Sequence, residues 1–564
     1  MTQRRIAPFL FAGILGLGMV LGFHVRDVAS GNSDYENLRK IEEAYNYVTQ
    51  SYVERTDSAQ LAEDAIEGML AGLDPHSVYI SAEEMRSVRE SFDASFEGIG
   101  IYYELLEGPG DRDTLAVLMP IAGGPSEEAG LQPGDRILLI DDTTAIGFTP
   151  DLVQRYLKGP SGTEVTVQVE RPGYDERLEY TITRDRIPLN TIVTAYMTDE
   201  QTGYIKLQRF ARTSHAEFVD AVRQLRAQGM TRLILDLRGN AGGLLEQAWR
   251  ISDEFLPAGQ MVVYTDSRHA GNNREYRATG EGTVENDPVI VIVDENAASA
   301  SEIVAGALQD HDRALIVGRR TFGKGLVQQQ FPLSDGAVLQ MTVSRYFTPV
   351  GRLIQTPYEA GADDEGYYEA KREVRDLMEG TFPTSGLVDV SAYAEGVPDS
   401  LKFETDSGRI VFGGGGILPD YLVQLDTLNA ALRTVIGRRL DDSFARAYLE
   451  DLGPSFRQQW EGREGEFLRQ YEVEGEAFEA FLAHVASRDI EVVATRPSQE
   501  PQSPVFVRSE AQASRADIEV RIKAFMARRM FGVDAFYPIV GGIDETLTEA
   551  MRLWDAAADL AMAQ

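Results

Sequence analysis

Two short apolar runs, each followed by a small-residue turn and a helix-patterned segment, constrain the fold of this chain most. Residues 232–237 read Arg-Leu-Ile-Leu-Asp-Leu, and residues 289–293 read Val-Ile-Val-Ile-Val. Nearly continuous apolar strands are typical of a parallel sheet that helices cover on both faces. Between residues 186 and 357 such strands alternate with helix-patterned segments, which favours parallel crossover units. This region is therefore predicted to be an α/β domain.

The turns that follow the two strands are expected at the carboxyl edge of that sheet, where α/β proteins place their sites. Ser299, in Asn-Ala-Ala-Ser299-Ala-Ser-Glu302, would face helix amino-terminal N–H groups that stabilise negative charge. Ser299 and Glu302 also have the spacing of a capping box, in which the serine only caps the helix. The turn Arg238-Gly-Asn-Ala-Gly-Gly243 is neither a Walker A loop nor a dinucleotide fingerprint. Its backbone N–H groups suit an oxyanion hole.

A serine nucleophile needs a base, and none of the six histidines stands in a recognisable catalytic context. His311, between two aspartates, indicates a solvated helix end. Lys324 is the better candidate, because burial between two glycines at the start of an apolar strand would favour its neutral form. Gln328 is four residues on and faces the same side, but about 13 Å away on a regular strand, so contact requires a bulge or converging side chains. A lone lysine in such a place is otherwise an exposed strand-end residue.

Three motifs in this order resemble those of the carboxyl-terminal processing (tail-specific) serine proteases. They are Asp236-Leu-Arg-Gly-Asn-Ala-Gly-Gly243, Ser299-Ala-Ser-Glu302 and Thr321-Phe-Gly-Lys324-Gly-Leu-Val-Gln328. The resemblance implies Ser299 as nucleophile, Lys324 as general base and Gln328 as the residue that orients the lysine. It also implies an oxyanion hole formed by the N–H groups of Gly242 and Ala300, and a crotonase-like α/β core without metal or cofactor.

Residues 96–185 are predicted to form a small β-domain, because short β-rich runs alternate there with glycine turns. Gly98-Ile99-Gly100-Ile101 and Ala129-Gly-Leu-Gln-Pro-Gly-Asp135 resemble a PDZ domain, although Gly-Ile-Gly-Ile alone is also an ordinary strand entry. The resemblance implies that Gly98, Ile99, Gly100 and Ile101 bind the carboxylate of a peptide that adds a strand to the sheet edge. At Lys158 the family often has an arginine, whose bidentate fork lysine lacks.

The amino terminus predicts export. Arg4 and Arg5 precede an uncharged apolar run at residues 6–25, which is longer than a usual signal core and long enough to cross a bilayer. We expect a signal peptide or an inner-membrane signal-anchor and a periplasmic or secreted body. A buried core helix is the remaining alternative. The absence of cysteine excludes disulfides and a thiol nucleophile, and a net charge of −35 disfavours nucleic-acid binding.

Composition and pattern divide the chain into seven segments, of which the last is polar and helical. Its simplest interpretation is a packing and dimer surface, and an adaptor or substrate-cage role is the alternative. The predicted division is a signal or anchor at 1–30, an N-terminal helical region at 31–90, a PDZ domain at 91–185, the protease core at 186–357, an acidic, irregular insertion at 358–403, a return strand of the core at 404–424 and a C-terminal helical region at 425–564.

The expected function is that of a serine endopeptidase that captures protein C-terminal tails with its PDZ domain and cleaves near them outside the cytoplasm. Its expected partners are proteins with apolar or unstructured tails, the membrane if the N-terminal segment is uncleaved, and further copies of the chain in a homo-oligomer. One alternative is a non-catalytic PDZ scaffold on an inactive protease fold. Another is acyl-group binding without proteolysis on a crotonase-like fold.

Overall fold

The structure is a computed structural model that describes residues 33–106, 108, 112–359, 361, 364–380, 382–424, 428–473, 475–496 and 505–562. Within these ranges no helix combines the length and the apolar content needed to cross a membrane. The signal or anchor predicted at residues 1–30 lies outside the described residues.

The first described segment is helical and ends in a strand that belongs to the core. Its elements are α1 (Ser33–Ser51), α2 (Ser58–Leu70), β1 (Val78–Ile80) and α3 (Glu84–Asp93). Asp57 caps α2 by accepting the N–H groups of Ala59 and Gln60. The chain leaves the helical conformation before Pro75, as expected, because proline disfavours helix at the residue before it.

The β-domain follows, and its elements are β2 (Ser95–Gly98), β3 (Ile101–Leu106), β4 (Thr114–Pro120), α4 (Pro125–Ala129), β5 (Arg136–Ile140), β6 (Thr143–Thr144), α5 (Pro150–Leu157), β7 (Glu164–Glu170), β8 (Leu178–Thr183) and β9 (Asp185–Pro188). Its sheet has the order β3-β4-β5-β7-β8, with β6 on β5. Leu115, Ile137 and Val167 are fully buried in its core. Strand β3 is an edge strand, because among the described strands it pairs with β4 alone.

The core is built on two sheets. Its elements are β10 (Ile192–Met197), β11 (Thr202–Leu207), α6 (Ser214–Ala227), β12 (Arg232–Asp236), α7 (Leu245–Asp253), β13 (Met261–Asp266), β14 (Glu275–Arg277), β15 (Val289–Val293), α8 (Ala300–Asp310), β16 (Leu315–Gly318), β17 (Leu326–Pro332), β18 (Val338–Phe347), α9 (Asp364–Glu379), β19 (Gly386–Asp389), β20 (Lys402–Glu404), β21 (Ile410–Phe412) and β22 (Tyr421–Gln424).

A seven-stranded sheet in the order β10-β11-β12-β15-β16-β22-β19 carries the predicted catalytic turns. Strands β11, β12, β15, β16 and β22 are parallel, and β10 and β19 run antiparallel at its edges. Every residue of β15 is buried, which explains its continuous apolar sequence. In the second sheet, β1, β13 and β17 all pair with the long strand β18.

The segment predicted to be an irregular insertion is more ordered than its acidic sequence suggests. Residues 364–379 form helix α9, and β19 extends the seven-stranded sheet by pairing with β22. Helix α9 is charged on most of its surface, so its few apolar positions gave only a weak helical signal in the sequence.

The C-terminal region consists of α10 (Ala430–Gly437), α11 (Leu440–Trp460), α12 (Glu464–Gln470), α13 (Gly475–Ala486), β23 (Glu491–Val493), β24 (Val505–Val507), α14 (Arg508–Ala513), α15 (Arg515–Phe531), α16 (Phe536–Val540), α17 (Glu545–Met551) and α18 (Trp554–Met562). Helices α10 to α16 share a hydrophobic core of their own. Helices α17 and α18 instead cover one face of the seven-stranded sheet, where Leu547 and Trp554 pack near Ile290 and Ile292.

Candidate active site

Ser299 lies in the turn between β15 and α8, at the carboxyl edge of the parallel sheet. Its backbone has φ 54° and ψ −111°. A positive φ is uncommon outside glycine and costs on the order of 1–3 kcal/mol, so the surrounding structure must hold this turn in place. Ala300 is the first residue of α8, and its N–H has no acceptor among the described residues.

Glu302 connects Ser299 with the lysine loop (residues 321–325) by hydrogen bonds to both. One oxygen of its buried carboxylate accepts the N–H groups of Ser299 and Lys324, both at 2.8 Å. The other oxygen accepts the Gly323 N–H at 2.7 Å and the Thr321 hydroxyl at 2.5 Å. Burial raises the pKa of Glu302, and these four donors oppose that rise. The glutamate of the predicted capping box therefore also holds a second loop.

Tyr346, on β18, joins the same two residues through their carbonyl groups. Its hydroxyl lies 3.0 Å from the carbonyl oxygen of Ser299 and 2.5 Å from that of Lys324. The side chain is 1% exposed, and burial raises its pKa well above the usual value, so the hydroxyl stays a neutral donor. Glu302 and Tyr346 thus each contact the backbones of both Ser299 and Lys324. Neither contact was predicted from the sequence.

Lys324 is partly buried, and this burial lowers the pKa of its ammonium group, while Asp74 and Glu302 oppose the shift. No carboxylate of the described residues forms an ion pair with Lys324, so its charged form lacks direct compensation. A hydrogen bond between Lys324 Nζ and Ser299 Oγ is not formed in this conformation. Catalytic hydrogen bonds often tighten only when substrate is bound.

Gln328 follows a bulge in β17, because the register with β18 shifts between Val327 and Gln328. A bulge of this kind is what the sequence analysis required for Gln328 to approach the lysine. The amide nitrogen of Gln328 is buried and has no hydrogen-bond partner in the described part of the chain. A buried amide group without a partner is available to a neighbouring side chain or to substrate.

The glycine turn (residues 238–243) packs directly against the nucleophile. A Cβ atom on Gly242 would lie 2.9 Å from the Ser299 Cβ and 3.0 Å from the Ala300 nitrogen, so only glycine fits there. The N–H of Gly242 already donates to Asn240 Oδ1 at 2.9 Å. This conformation therefore does not offer Gly242 as the second oxyanion donor, whereas the N–H of Gly243 has no acceptor among the described residues.

Asp236 and Arg238 anchor the beginning of the glycine turn. Asp236 is fully buried and accepts hydrogen bonds from the Arg238 side chain and from the Tyr204 hydroxyl at 2.5 Å. Burial alone would raise the pKa of Asp236, but Arg238 and Lys206 outweigh it and hold the pKa well below its usual range. The carboxylate therefore stays ionised.

The segment Leu73-Asp-Pro-His-Ser77 resembles a family element, but no catalytic context was expected for His76, which lies near Lys324. Burial, with a contribution from Lys324, lowers the pKa of His76 to about 4, and its Nε2 is buried without a partner among the described residues. The neighbouring Asp74 accepts the N–H of His76 and the hydroxyls of Ser77 and Thr342. The signal that could have found His76 is the helix break at Pro75, which turns the N-terminal segment onto the core.

His311 has a structural role. His311 was expected at a solvated helix end, but it is buried, with Nδ1 2.7 Å from Asp406 and Nε2 2.7 Å from the Met261 carbonyl. The chain beyond β20 packs over it, which its own sequence neighbourhood does not indicate. Among the described residues, no three His, Asp or Glu side chains converge in a way that could hold a metal ion.

The predicted carboxylate-binding loop of the β-domain leads into the edge strand β3. Gly100 has φ 76°, and the backbone N–H groups of Ile99 and Gly100 have no acceptor among the described residues. The Ile99 side chain is buried in the β-domain core, and its carbonyl accepts the N–H and hydroxyl of Ser126. The loop is therefore fixed by its side chain and carbonyl, which leaves the N–H groups free for a ligand.

Lys158, at the position where the family often has arginine, contacts α3 and not the active site. Its Nζ lies 2.6 Å from Glu90 Oε2 and 5.1 Å from the centroid of the Phe96 ring. The β-domain is thus tied through Lys158 to the N-terminal helical segment.

Comparison with known families gives three matches along the chain. Residues 201–361 match "Peptidase family S41", residues 117–171 match "PDZ domain", and residues 24–84 match "Activating protease CtpB N-terminal domain". The C-terminal region lies beyond all three.

Individual relatives agree. The chain is 35% identical over 356 residues to a carboxy-terminal-processing protease of Bartonella bacilliformis, covering 62% of this chain and 80% of the relative. It is 35% identical over 369 residues to a carboxyl-terminal-processing protease of Synechocystis, covering 61% and 84%. A solved photosystem II D1 C-terminal processing protease is similar at 30% identity over 56% of this chain and 89% of that one, with a TM-score of 0.32. The chain belongs to peptidase family S41, the carboxy-terminal processing proteases, and is a serine-type peptidase with a PDZ domain.

Proposed function

We propose that this protein is an endopeptidase with a Ser299–Lys324 dyad, that it recognises protein C-terminal tails through its PDZ domain, and that it cleaves near them outside the cytoplasm. The proposal rests on two side chains that each hydrogen-bond to both Ser299 and Lys324. Glu302 accepts both of their N–H groups, and Tyr346 reaches both of their carbonyls. Such fixed placement is what a nucleophile and its base require.

In the first chemical step, neutral Lys324 Nζ takes the proton of Ser299 Oγ as that oxygen bonds to the substrate carbonyl carbon. The protonated lysine then returns the proton to the leaving amine as the peptide bond breaks, which leaves an acyl-enzyme. Water, deprotonated by the same lysine, attacks the ester and releases the acid and Ser299. The lowered pKa of Lys324 supports this role, because a base acts only when it is unprotonated.

Gln328 would orient Lys324 through its buried amide group, which has no partner among the described residues. For the oxyanion we propose the N–H of Ala300 together with that of Gly243, since the N–H of Gly242 is held by Asn240. Gly242 then contributes by permitting close contact with Ser299. If Asn240 turned away, Gly242 would become the donor that the sequence indicated.

We propose that Gly98, Ile99, Gly100 and Ile101 take the terminal carboxylate of the substrate and that the tail adds a strand to the open edge of β3. The unpaired N–H groups of Ile99 and Gly100 and the edge position of β3 support this. Main-chain pairing of this kind suits an unstructured tail.

We further propose that residues 1–30 export the protein and, if uncleaved, anchor it in the inner membrane, on the basis of Arg4, Arg5 and the apolar run at residues 6–25. A homo-oligomer is proposed from the exposed apolar side chains along α1, namely Tyr35, Leu38, Ile41 and Tyr47. Gel filtration of the parent and of a Leu38→Glu, Ile41→Glu variant tests this part separately.

The test of the dyad and of tail recognition uses the full chain in mild detergent, beside Ser299→Ala and Lys324→Met variants. Each protein is incubated with a loosely folded substrate ending in apolar residues, once with a free terminal carboxylate and once with a terminal amide. Mass spectrometry is expected to find fragments with the parent only, and faster cleavage of the free carboxylate form. Equal cleavage by the Ser299→Ala variant would contradict the dyad, and equal rates on the two substrates would contradict tail recognition.

A further inference from the structure

We propose that the segment from Arg529 to Asp544, in the C-terminal region, mechanically links the peptide-binding strand β3 to the glycine turn, and that Asp544 is a positioning residue for the oxyanion hole. We call this segment the C-terminal strap. The inference rests on the proposed function, because it assigns a role to tail binding at β3.

The inner end of the strap holds Arg238, the first residue of the glycine turn. Asp544 accepts two hydrogen bonds from the guanidinium, at 2.9 Å from Nη1 and 2.6 Å from Nη2. The same aspartate caps α17 by accepting the Leu547 N–H at 3.0 Å. Arg238 is thereby shared between Asp544 and the buried Asp236. A planar guanidinium held bidentately has a fixed orientation, so Asp544 contributes to where the glycine turn begins.

The outer end of the strap holds β3. Arg529, which is only 8% exposed, donates to both carboxylate oxygens of Glu104 at 3.0 and 3.1 Å. Its other partner is Asp442 of α11, at 2.6 Å. Since Glu104 lies in the middle of β3, this contact ties the strand that would receive a substrate tail to the C-terminal region. Separating a buried arginine from its two carboxylate partners costs much free energy, so the contact between Arg529 and Glu104 is expected to persist.

Between its ends, the strap runs along the edge strand β10. The Tyr196 hydroxyl lies 3.5 Å from the Tyr537 carbonyl, and the Tyr196 ring packs on Tyr204, which donates to Asp236. A cavity of about 670 Å³ is lined by residues of the strap, the β-domain and β10, with Met119 and Phe536 among them. A second cavity, of about 550 Å³, lies beside Asp544 and Arg238.

Because both cavities adjoin the strap, its middle part has space to move while Arg529 and Asp544 keep their hydrogen bonds. A movement of β3 on tail binding would therefore be passed through Arg529 to Asp544 and from there to Arg238. A second route starts at Lys158, which contacts Glu90 on α3. The carbonyl of Phe92, also on α3, accepts the Arg212 N–H, and two residues earlier the Phe210 N–H donates to the Gly242 carbonyl. The strap is a separate connection, which begins at the middle of β3 and reaches the glycine turn at Arg238.

The first test measures the link without catalysis. Full-length Ser299→Ala protein is mixed with a short peptide that ends in three apolar residues and a free carboxylate, and amide hydrogen exchange is followed in residues 236–243. Binding is expected to slow exchange there in the Ser299→Ala protein and to leave it unchanged in the Ser299→Ala, Asp544→Asn double variant. Asparagine caps a helix about as well as aspartate, so α17 should keep its cap. Asp555→Asn, on the exposed face of α18, is the matched control and is expected to behave like the parent.

The second test separates positioning from folding by steady-state kinetics on the free-carboxylate and amide substrates. Asp544→Asn is expected to lower kcat about tenfold on both, with KM little changed, because a slightly misplaced turn weakens transition-state contacts. Glu104→Gln, at a less buried site, is expected to lower kcat only on the free-carboxylate substrate. The combined variant should lose less than the product of the two single losses on that substrate, because the two residues act through one strap.

The results distinguish the strap from the proposed function. A parent that binds and cleaves tails, with Asp544→Asn unchanged in kcat and in exchange, would overturn the strap alone. Strictly multiplicative losses in the combined variant would overturn it too. A parent that neither binds nor cleaves any tail would overturn the proposed function and with it this inference. Loss of tail-dependent protection in the Asp544→Asn background together with coupled kinetics supports it.

Discussion

The two catalytic turns sit at the same edge of one sheet, but they are fastened differently. Ser299 and Lys324 are held by Glu302 and Tyr346, which belong to the same core segment as the two residues that they contact. The glycine turn is also held inside the core, where the Gly239 N–H donates to Asp294. Its arginine, however, is shared between the neighbouring Asp236 and Asp544, which lies 306 positions away in the sequence.

This difference suggests that the nucleophile and base have a fixed geometry, whereas the position of the glycine turn can be adjusted. Because the nucleophile and the base share partners within the core, we expect the distance between their backbones to depend little on the neighbouring domains. A turn whose arginine depends on a distant region can be repositioned by that region.

The largest effect is expected from Lys324→Met, which removes the base but keeps most of the buried side-chain volume. Loss of a positioned general base costs up to about ten-thousandfold in rate, and we expect a loss of kcat/KM of about a thousandfold or more. Lys371→Met is the matched control, since Lys371 is a second partly buried lysine, with Nζ 3.4 Å from the Phe322 ring centroid. An equally severe loss in the control would mean that the identity of the base is wrong.

Glu302→Gln tests the hydrogen bonds by which Glu302 holds Ser299 and the lysine loop. An amide has one acceptor oxygen where the carboxylate has two, so some of the four donors lose their partner. At about 1–3 kcal/mol for each buried unsatisfied group, we expect a loss of about 2–4 kcal/mol in the free energy of unfolding. A fall in kcat of about a hundredfold is expected with it. Denaturant unfolding and steady-state kinetics measure the two effects, with exposed Glu246→Gln as control. Normal stability and activity would show that Ser299 and Lys324 have other support.

The pH dependence of the parent sharpens the assignment of the base. Since Lys324 acts when neutral, kcat/KM is expected to rise about tenfold per pH unit and to level off below the usual lysine pKa of 10.5. Because its pKa is lower in the folded state, the unfolded state binds more protons between the two pKa values. The contribution of Lys324 to stability therefore rises with pH across that window. A rate profile that levels off near pH 4, where His76 titrates, would instead implicate the histidine.

The smallest effect is expected at Lys158. Its ion pair with Glu90 is partly exposed, and such pairs contribute about 0–1 kcal/mol. Lys158→Met is therefore expected to leave both the melting temperature and the rate on free-carboxylate substrates close to those of the parent. A loss of tail-dependent activity in this variant would instead place the connection between the β-domain and the active site at Lys158.

Local sequence was sufficient for the strands and turns that carry the chemistry. The apolar run 289–293 forms a buried strand, and a helix starts directly after Ser299, as the capping-box spacing indicated, since strand burial and helix capping are encoded within a few residues. Tyr346 was not found, because it is one aromatic residue in a strand whose mixed polar sequence gave no clear pattern. Tyr346 acquires its role because β17 pairs with β18, and this pairing places its hydroxyl next to the carbonyl groups of Ser299 and Lys324.

Contacts between distant segments could not be predicted from one sequence. Asp544 reads as an ordinary helix cap, and nothing near it indicates Arg238. Likewise, the acidic segment before β20 gave no sign that β19 would extend the sheet. The resemblance implied Gly242 as an oxyanion donor. Gly242 packs against Ser299, but its N–H donates to the Asn240 side chain, a contact that the motif itself does not indicate.

Helices α17 and α18 also have a consequence for how the protein is made. They cover the sheet face that contains Tyr204, Ile234 and Ile292, so that face stays open to solvent until residues 545–562 have left the ribosome. Sequence-distant pairing of this kind slows folding and leaves apolar surface exposed in intermediates. The protease core is therefore expected to reach its working form only after residues 545–562 have been synthesised and have packed on the sheet.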